Sequence, residues 1–113
     1  MKKTKILIVD DEPDYCMIMR NYFLQKNYEV FIAFTLKEGL NMIENCEPDI
    51  LFLDNNLPDG KGWTCAEEIA NKMPALKIYL ISAYHKQSDV IIPMANVTVW
   101  EKPISLNTLK DLF

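Results

Sequence analysis

Five short apolar runs, spaced along the whole chain, constrain the fold more than any other feature. They cover Lys5–Val9, Glu29–Phe34, Asp49–Leu53, Lys77–Ile81 and Val97–Trp100. Continuous Val, Ile, Leu and Phe, without polar alternation, is the pattern of strands covered on both faces, as in a parallel sheet. The intervening stretches have helical periodicity. After Pro13, suited to a first helical turn, Tyr15, Ile18, Met19, Tyr22 and Phe23 are expected on one inward face. Thr35 and Glu38 form a capping-box signature before Leu36, Leu40 and Ile43. Trp63, Ala66, Ile69, Ala70 and Met73 make a third stripe, stopped by Pro74, and Ser105 suits the N-cap of a last helix carrying Leu106, Leu109 and Leu112.

This alternation predicts an α/β fold: one doubly wound, five-stranded parallel sheet with right-handed crossovers. The 113 residues are enough for one self-supporting core, so 1–113 reads as a single domain, alone or as a piece of a longer protein. The rhythm breaks once, at "HKQSDVIIPMAN". Val90, Ile91 and Ile92 are poor helix formers, and Pro93 would clash with the Asp89 carbonyl, so a fourth helix here is short, kinked or absent.

In open α/β sheets, ligands bind beyond the carboxyl ends of the strands, where the strand order reverses. The first run delivers Asp10, Asp11 and Glu12 to that edge, the third Asp54, the fourth Ser82 and the fifth Lys102. Carboxylates held together repel at a cost of several kcal/mol. A divalent cation removes the conflict, and a few hard oxygen donors suit Mg²⁺, which keeps waters and accepts a phosphate oxygen. A nucleotide or flavin site would instead place glycines or hydroxyls after the first strand. Beside a metal, Asp54 is placed to attack phosphorus, with Lys102 and Ser82 facing phosphoryl oxygens. Taken singly, Asp54 would be a residue before the Pro58–Gly60 turn, Ser82 a cap and Lys102 a solvated lysine; it is their joint position at successive strand ends that points to chemistry.

The motifs "ILIVDDEP", "ILFLDNNLPDGKG", "IYLISAY" and "WEKP", in this order, resemble the receiver domains of bacterial two-component response regulators, which are CheY-like. The resemblance implies strand order 2-1-3-4-5, Asp54 as phosphoacceptor and an aspartyl phosphate as its product. It also implies Asp11 as a direct Mg²⁺ ligand supported by Asp10, and the Asn56 backbone carbonyl as a further ligand. Ser82 and Lys102 take the family's hydroxyl and lysine positions, and Lys102–Pro103 its cis peptide. It implies a phosphorelay module, not a turnover enzyme, that assists its own phosphorylation and dephosphorylation. Its donor would be a histidine kinase or phosphotransfer protein, and a homodimer is allowed.

Two positions depart from the family pattern. Val99 stands where an aromatic is usual, with Trp100 one residue later on the opposite face, and the Ser82-to-Lys102 interval is slightly short. Phosphoryl chemistry is therefore expected, and the usual aromatic switch is not. Tyr84 is placed to shield a phosphoryl group from water, and His85 reads as an exposed loop residue. The alternatives are a phosphorylation-independent pseudo-receiver acting as a protein-binding module, and a metal-dependent phosphohydrolase with His85 as acid–base.

Composition adds exclusions. A net charge of −4 argues against direct nucleic-acid binding. The start "MKKTKILIVDD" meets acids too early for a signal peptide, and no stretch reaches the length of a membrane span, so a cytoplasmic domain without membrane contact is expected. Cys16, Cys46 and Cys65 lack CxxC spacing and read as small buried hydrophobes rather than disulfides or zinc ligands.

Overall fold

A computed structural model describes residues 3–82, 95–101 and 105–113. The elements run β1 (Lys5–Val9), α1 (Pro13–Gln25), β2 (Glu29–Ala33), α2 (Leu36–Cys46), β3 (Ile50–Asp54), β4 (Asn56–Leu57), β5 (Gly60–Lys61), α3 (Trp63–Lys72), β6 (Lys77–Ser82), β7 (Val97–Glu101) and α4 (Leu106–Leu112). Five strands form one parallel sheet in the order β2-β1-β3-β6-β7. With the small β4–β5 hairpin set aside, this is the expected 2-1-3-4-5 order. The expected irregular fourth helix, with Pro93, lies outside the described residues.

The apolar runs become strands because both faces of the sheet are covered. Ile6, Leu7, Ile8 and Val9 of β1 and Leu51, Phe52 and Leu53 of β3 are all buried, as interior parallel strands require. The pleat divides them. Leu7, Val9, Leu51, Leu53 and Leu80 pack against α2 and α3 through Ile43, Ala66, Ile69 and Ala70. Ile6, Ile8, Phe52 and Ile81 pack against α1 and α4 through Cys16, Met19, Phe23 and Leu109.

The α1/α4 side is aromatic. Phe52 stacks on Tyr79 at 5.1 Å between ring centres, Tyr79 meets Trp100 at 4.6 Å, and Phe113 sets its edge to Phe23 at 5.2 Å. Such pairs add roughly 0.5–1.5 kcal/mol each beyond area burial. Burial within this cluster raises the Tyr79 phenol above its ordinary pKa. Leu80 is level with Val99 and Ile81 with Trp100, so Val99 joins the α2/α3 side and Trp100 the aromatic side. Their opposite faces follow from the two-residue period of a strand.

Helix details both match and correct the sequence reading. In α1, Cys16, Met19 and Phe23 are buried and Tyr15 and Tyr22 half-buried, but Ile18, expected inward, is 55% exposed. At about 100° per residue, a face centred between Met19 and Phe23 turns Ile18 towards water. Thr35 caps α2 by accepting the Glu38 N–H at 3.1 Å. The Glu38 carboxylate returns to the Thr35 hydroxyl rather than to its backbone. Ser105 caps α4 by accepting the Thr108 N–H. Leu109 is buried, while the side chains of Leu106 and Leu112 lie outside the described set.

All three cysteines are free; Cys16 is buried and the other two half-buried. No described helix is long and apolar enough to cross a membrane.

Candidate functional site

The carboxyl ends of β1 and β3 are neighbours, because Val9 is level with Leu53. The next residues on the two strands are Asp10 and Asp54. Asp10 continues the ladder by donating its N–H to the Ala33 carbonyl at 3.0 Å, and it is 1% exposed. Asp54 ends β3 and is 3% exposed. Asp11 turns outward and is exposed. One carboxylate oxygen from each of Asp10, Asp11 and Asp54 lies within 4.8 Å of the others. Glu12, the third acid of the run, is exposed and is not in this group; its N–H donates to Asp10 Oδ1 at 2.9 Å and fixes that side chain.

Two nearly buried carboxylates and a third at the surface form a strongly repulsive set. At this spacing each pair costs on the order of 3 kcal/mol at an effective dielectric of about 20, and less where Asp11 meets water. The folded core holds them there against that cost: β1 and β3 are adjacent interior strands, and their burial fixes both strand ends.

The segment after Asp54 is built rather than loose. The Asn56 N–H donates to Asp54 Oδ1 at 3.3 Å, and Leu57 is buried in the α2/α3 core. Leu57 pairs with Gly60, leaving Pro58 and Asp59 as the turn. Asn55 donates its N–H to Ile81, and its side-chain oxygen accepts the Trp63 N–H at 3.4 Å, which fastens β3 to β6 and to the start of α3. At Gly62 an added Cβ would lie 2.3 Å from the Asp54 carbonyl oxygen, so only glycine lets α3 begin this close to the site.

Asp54 is level with Ile81, so Ser82 follows one position beyond it on the neighbouring strand, and Ser82 is level with Glu101. The backbone of Ser82 therefore ends β6 on the same sheet edge as the carboxylates. Its side chain, together with Lys102, Pro103, Tyr84 and His85, lies outside the described residues.

The sequence reading missed the β4–β5 hairpin, the Asn55 tie and Asp59. The Asp59 carboxylate accepts the N–H groups of Leu36 at 2.7 Å and Lys37 at 2.9 Å, at the start of α2. These two hydrogen bonds hold its pKa below the ordinary value of 3.8. The "LPDG" stretch signals a turn, but the partner of Asp59 is 23 residues away and local pattern cannot show it.

Comparison with known proteins agrees with this architecture. The chain is 41% identical over 68 residues to the regulatory protein VanR of Enterococcus faecium, 60% of this chain and 29% of that protein. It is 27% identical over 114 residues to the response regulator protein PilR of Pseudomonas aeruginosa, 99% of this chain and 26% of that protein. It is 30% identical over 88 residues to the response regulator SaeR of Staphylococcus aureus, 78% of this chain and 38% of that protein. The chain thus spans well under half the length of these relatives.

Among solved structures it is similar to a CheY-like receiver domain from Methanospirillum hungatei, with a TM-score of 0.88 at 27% identity, covering 98% of this chain and 90% of that one. It is also similar to the HemR receiver domain from Leptospira biflexa, with a TM-score of 0.81 at 27% identity, covering 96% and 90%. Residues 6–113 match the family model for the response regulator receiver domain, and the chain belongs to that family.

Proposed function

We propose that this chain is a phosphate switch whose Asp54 carboxylate accepts a phosphoryl group in the presence of Mg²⁺. The observation that carries the reading is the convergence of Asp10, Asp11 and Asp54 at the ends of two adjacent interior strands. Mg²⁺ fits this donor set, since it takes few protein oxygens and retains sites for water and a phosphate oxygen. Asp11 and Asp54 would hold it directly, Asp10 would support it, and the Asn56 carbonyl would add a ligand. The ion supplies charge neutralisation, which lets an anionic donor approach three carboxylates.

The rest falls to the chain's own residues. An Asp54 oxygen forms the new O–P bond while the bond between phosphorus and the donor breaks, and that electron pair leaves with the donor. Asp10, fixed by the Glu12 N–H, keeps the neighbouring oxygen aligned. Lys102 and Ser82 are assigned to phosphoryl oxygens by their positions along the sheet edge. The donor is a histidine kinase or a phosphotransfer protein, and the domain works in the cytoplasm. Phosphorylation favours one of two arrangements of the output surface. With Val99 at the usual aromatic position, that shift does not use a rotating ring.

Incubation with acetyl phosphate, followed by intact mass, tests the proposal. One phosphoryl group per chain is expected with Mg²⁺ and none in EDTA. No adduct in either condition contradicts the reading and favours a phosphate-independent binding module. Sustained turnover of small phosphoesters contradicts it in favour of a hydrolase.

A further inference from the structure

The first turn of α2 contacts the residue before Asp10 and the hairpin that follows Asp54. On one side Gly39 packs against Val9, the residue before Asp10; an added Cβ there would lie 2.8 Å from a Val9 methyl. On the other side the Leu36 and Lys37 N–H groups are held by Asp59, at the tip of the hairpin that begins at Asn56. Thr35 satisfies the Glu38 N–H of the same turn. Three orphan donors at this helix start are therefore shared between a local cap and a remote loop.

The two acceptors differ in reach. Thr35 is part of the α2 junction and secures only the helix. Asp59 is exposed and contributes nothing to the core, yet it binds the hairpin to a helix that is itself seated on β1. Leu57 fixes the base of the hairpin, and Asp59 fixes its tip.

We infer that Asp59 is a positioning residue: by tethering the β4–β5 hairpin to α2, it holds the Asn56 end of the metal site against the α2–β1 body that carries Asp10 and Asp11. This rests on the Mg²⁺ reading above. A bound cation would fix the Asn56 backbone and, through the hairpin, the start of α2. Linkage makes the coupling reciprocal, so Mg²⁺ tightens the hydrogen bonds at Leu36 and Lys37.

The test compares wild type with Asp59→Ala, Asp59→Asn and Thr35→Ala. Two quantities are read: the Mg²⁺ dissociation constant by calorimetry, and amide exchange at Leu36 and Lys37 with and without Mg²⁺. Asp59→Ala is expected to weaken Mg²⁺ roughly tenfold, as loss of an outer-shell support does. Asp59→Asn keeps one acceptor oxygen and turns its amide nitrogen, a donor, toward the second N–H, so it loses at least one of the two bonds and weakens Mg²⁺ to an intermediate degree. Thr35→Ala removes a cap of the same helix and leaves Mg²⁺ affinity unchanged. In wild type, Mg²⁺ slows exchange at Leu36 and Lys37 but not at Thr108, the capped amide of α4, a reading that needs no variant to fold.

Equal weakening by Asp59→Ala and Thr35→Ala would assign the effect to general loss of the helix and overturn the inference. Wild-type Mg²⁺ affinity in Asp59→Ala would overturn it as well. Wild-type protein that binds Mg²⁺ without slowing the Leu36 and Lys37 amides overturns the tether alone. Wild-type protein that binds no Mg²⁺ overturns the metal reading and the tether with it.

Discussion

Replacing Asp54 with asparagine is expected to abolish phosphoryl uptake while making the metal-free protein more stable. Both outcomes come from the same geometry. Asp54 is buried beside Asp10, and one of its oxygens lies within 4.8 Å of one oxygen from each of Asp10 and Asp11. Asparagine keeps the shape and the oxygen that accepts the Asn56 N–H, but removes one charge and with it two repulsive pairs. The expected gain is about 1–3 kcal/mol in EDTA, after allowance for solvent around Asp11. The same change removes the oxygen proposed to attack phosphorus, so acetyl phosphate with Mg²⁺ is expected to yield no adduct. Urea unfolding and intact mass measure the two effects. A phosphorylated Asp54→Asn protein, or one clearly less stable than wild type in EDTA, would contradict the site as described.

Gly62→Ala is expected to lose about 3 kcal/mol of stability and to weaken Mg²⁺ binding. Backbone conformation is not the cause, since Gly62 has a φ of −57° that alanine readily adopts. The cause is contact. The new Cβ would stand 2.3 Å from the Asp54 carbonyl oxygen and 2.9 Å from Leu53 Cγ. A carbonyl oxygen cannot rotate aside as a side chain can, so α3 must move away from β3. That movement strains the bonds from Gly62 and Trp63 to Asn55 and shifts the backbone that carries Asp54. Gly39→Ala is the informative control, because the three atoms nearest its added Cβ are all in the Val9 side chain and none is a backbone oxygen. Urea midpoints at unchanged slope should fall further for Gly62→Ala than for Gly39→Ala. Equal midpoints for wild type and Gly62→Ala would show that α3 has room to spare.

The parallel sheet and the acidic edge were legible in the sequence because both are written in local pattern. Unbroken apolar runs can be buried on both faces only in a covered sheet, and an Asp that follows such a run falls at a strand end. Asp10 and Asp54 met this condition on neighbouring interior strands. The opposite faces of Val99 and Trp100 followed from the strand period alone. Ile18 was misplaced because Tyr15, Tyr22 and Ile18 are all apolar enough to be drawn on one stripe. The helix orientation was decided instead by Cys16, Met19 and Phe23 fitting beneath it. The hairpin after Asp54 escaped because two-residue strands carry too little periodicity to register. Asp59 and Gly62 escaped for a different reason: their partners, Leu36 and the Asp54 carbonyl, come near only after the sheet has formed.

Titration of Mg²⁺ into the wild-type protein by calorimetry reaches the central claim most directly, since everything depends on one cation shared between the ends of β1 and β3. The expected result is a single site per chain whose affinity falls at least roughly tenfold in both Asp11→Asn and Asp54→Asn, because ligand charge sets affinity in all-oxygen sites. No binding to the wild type, or binding that both variants leave intact, would contradict it.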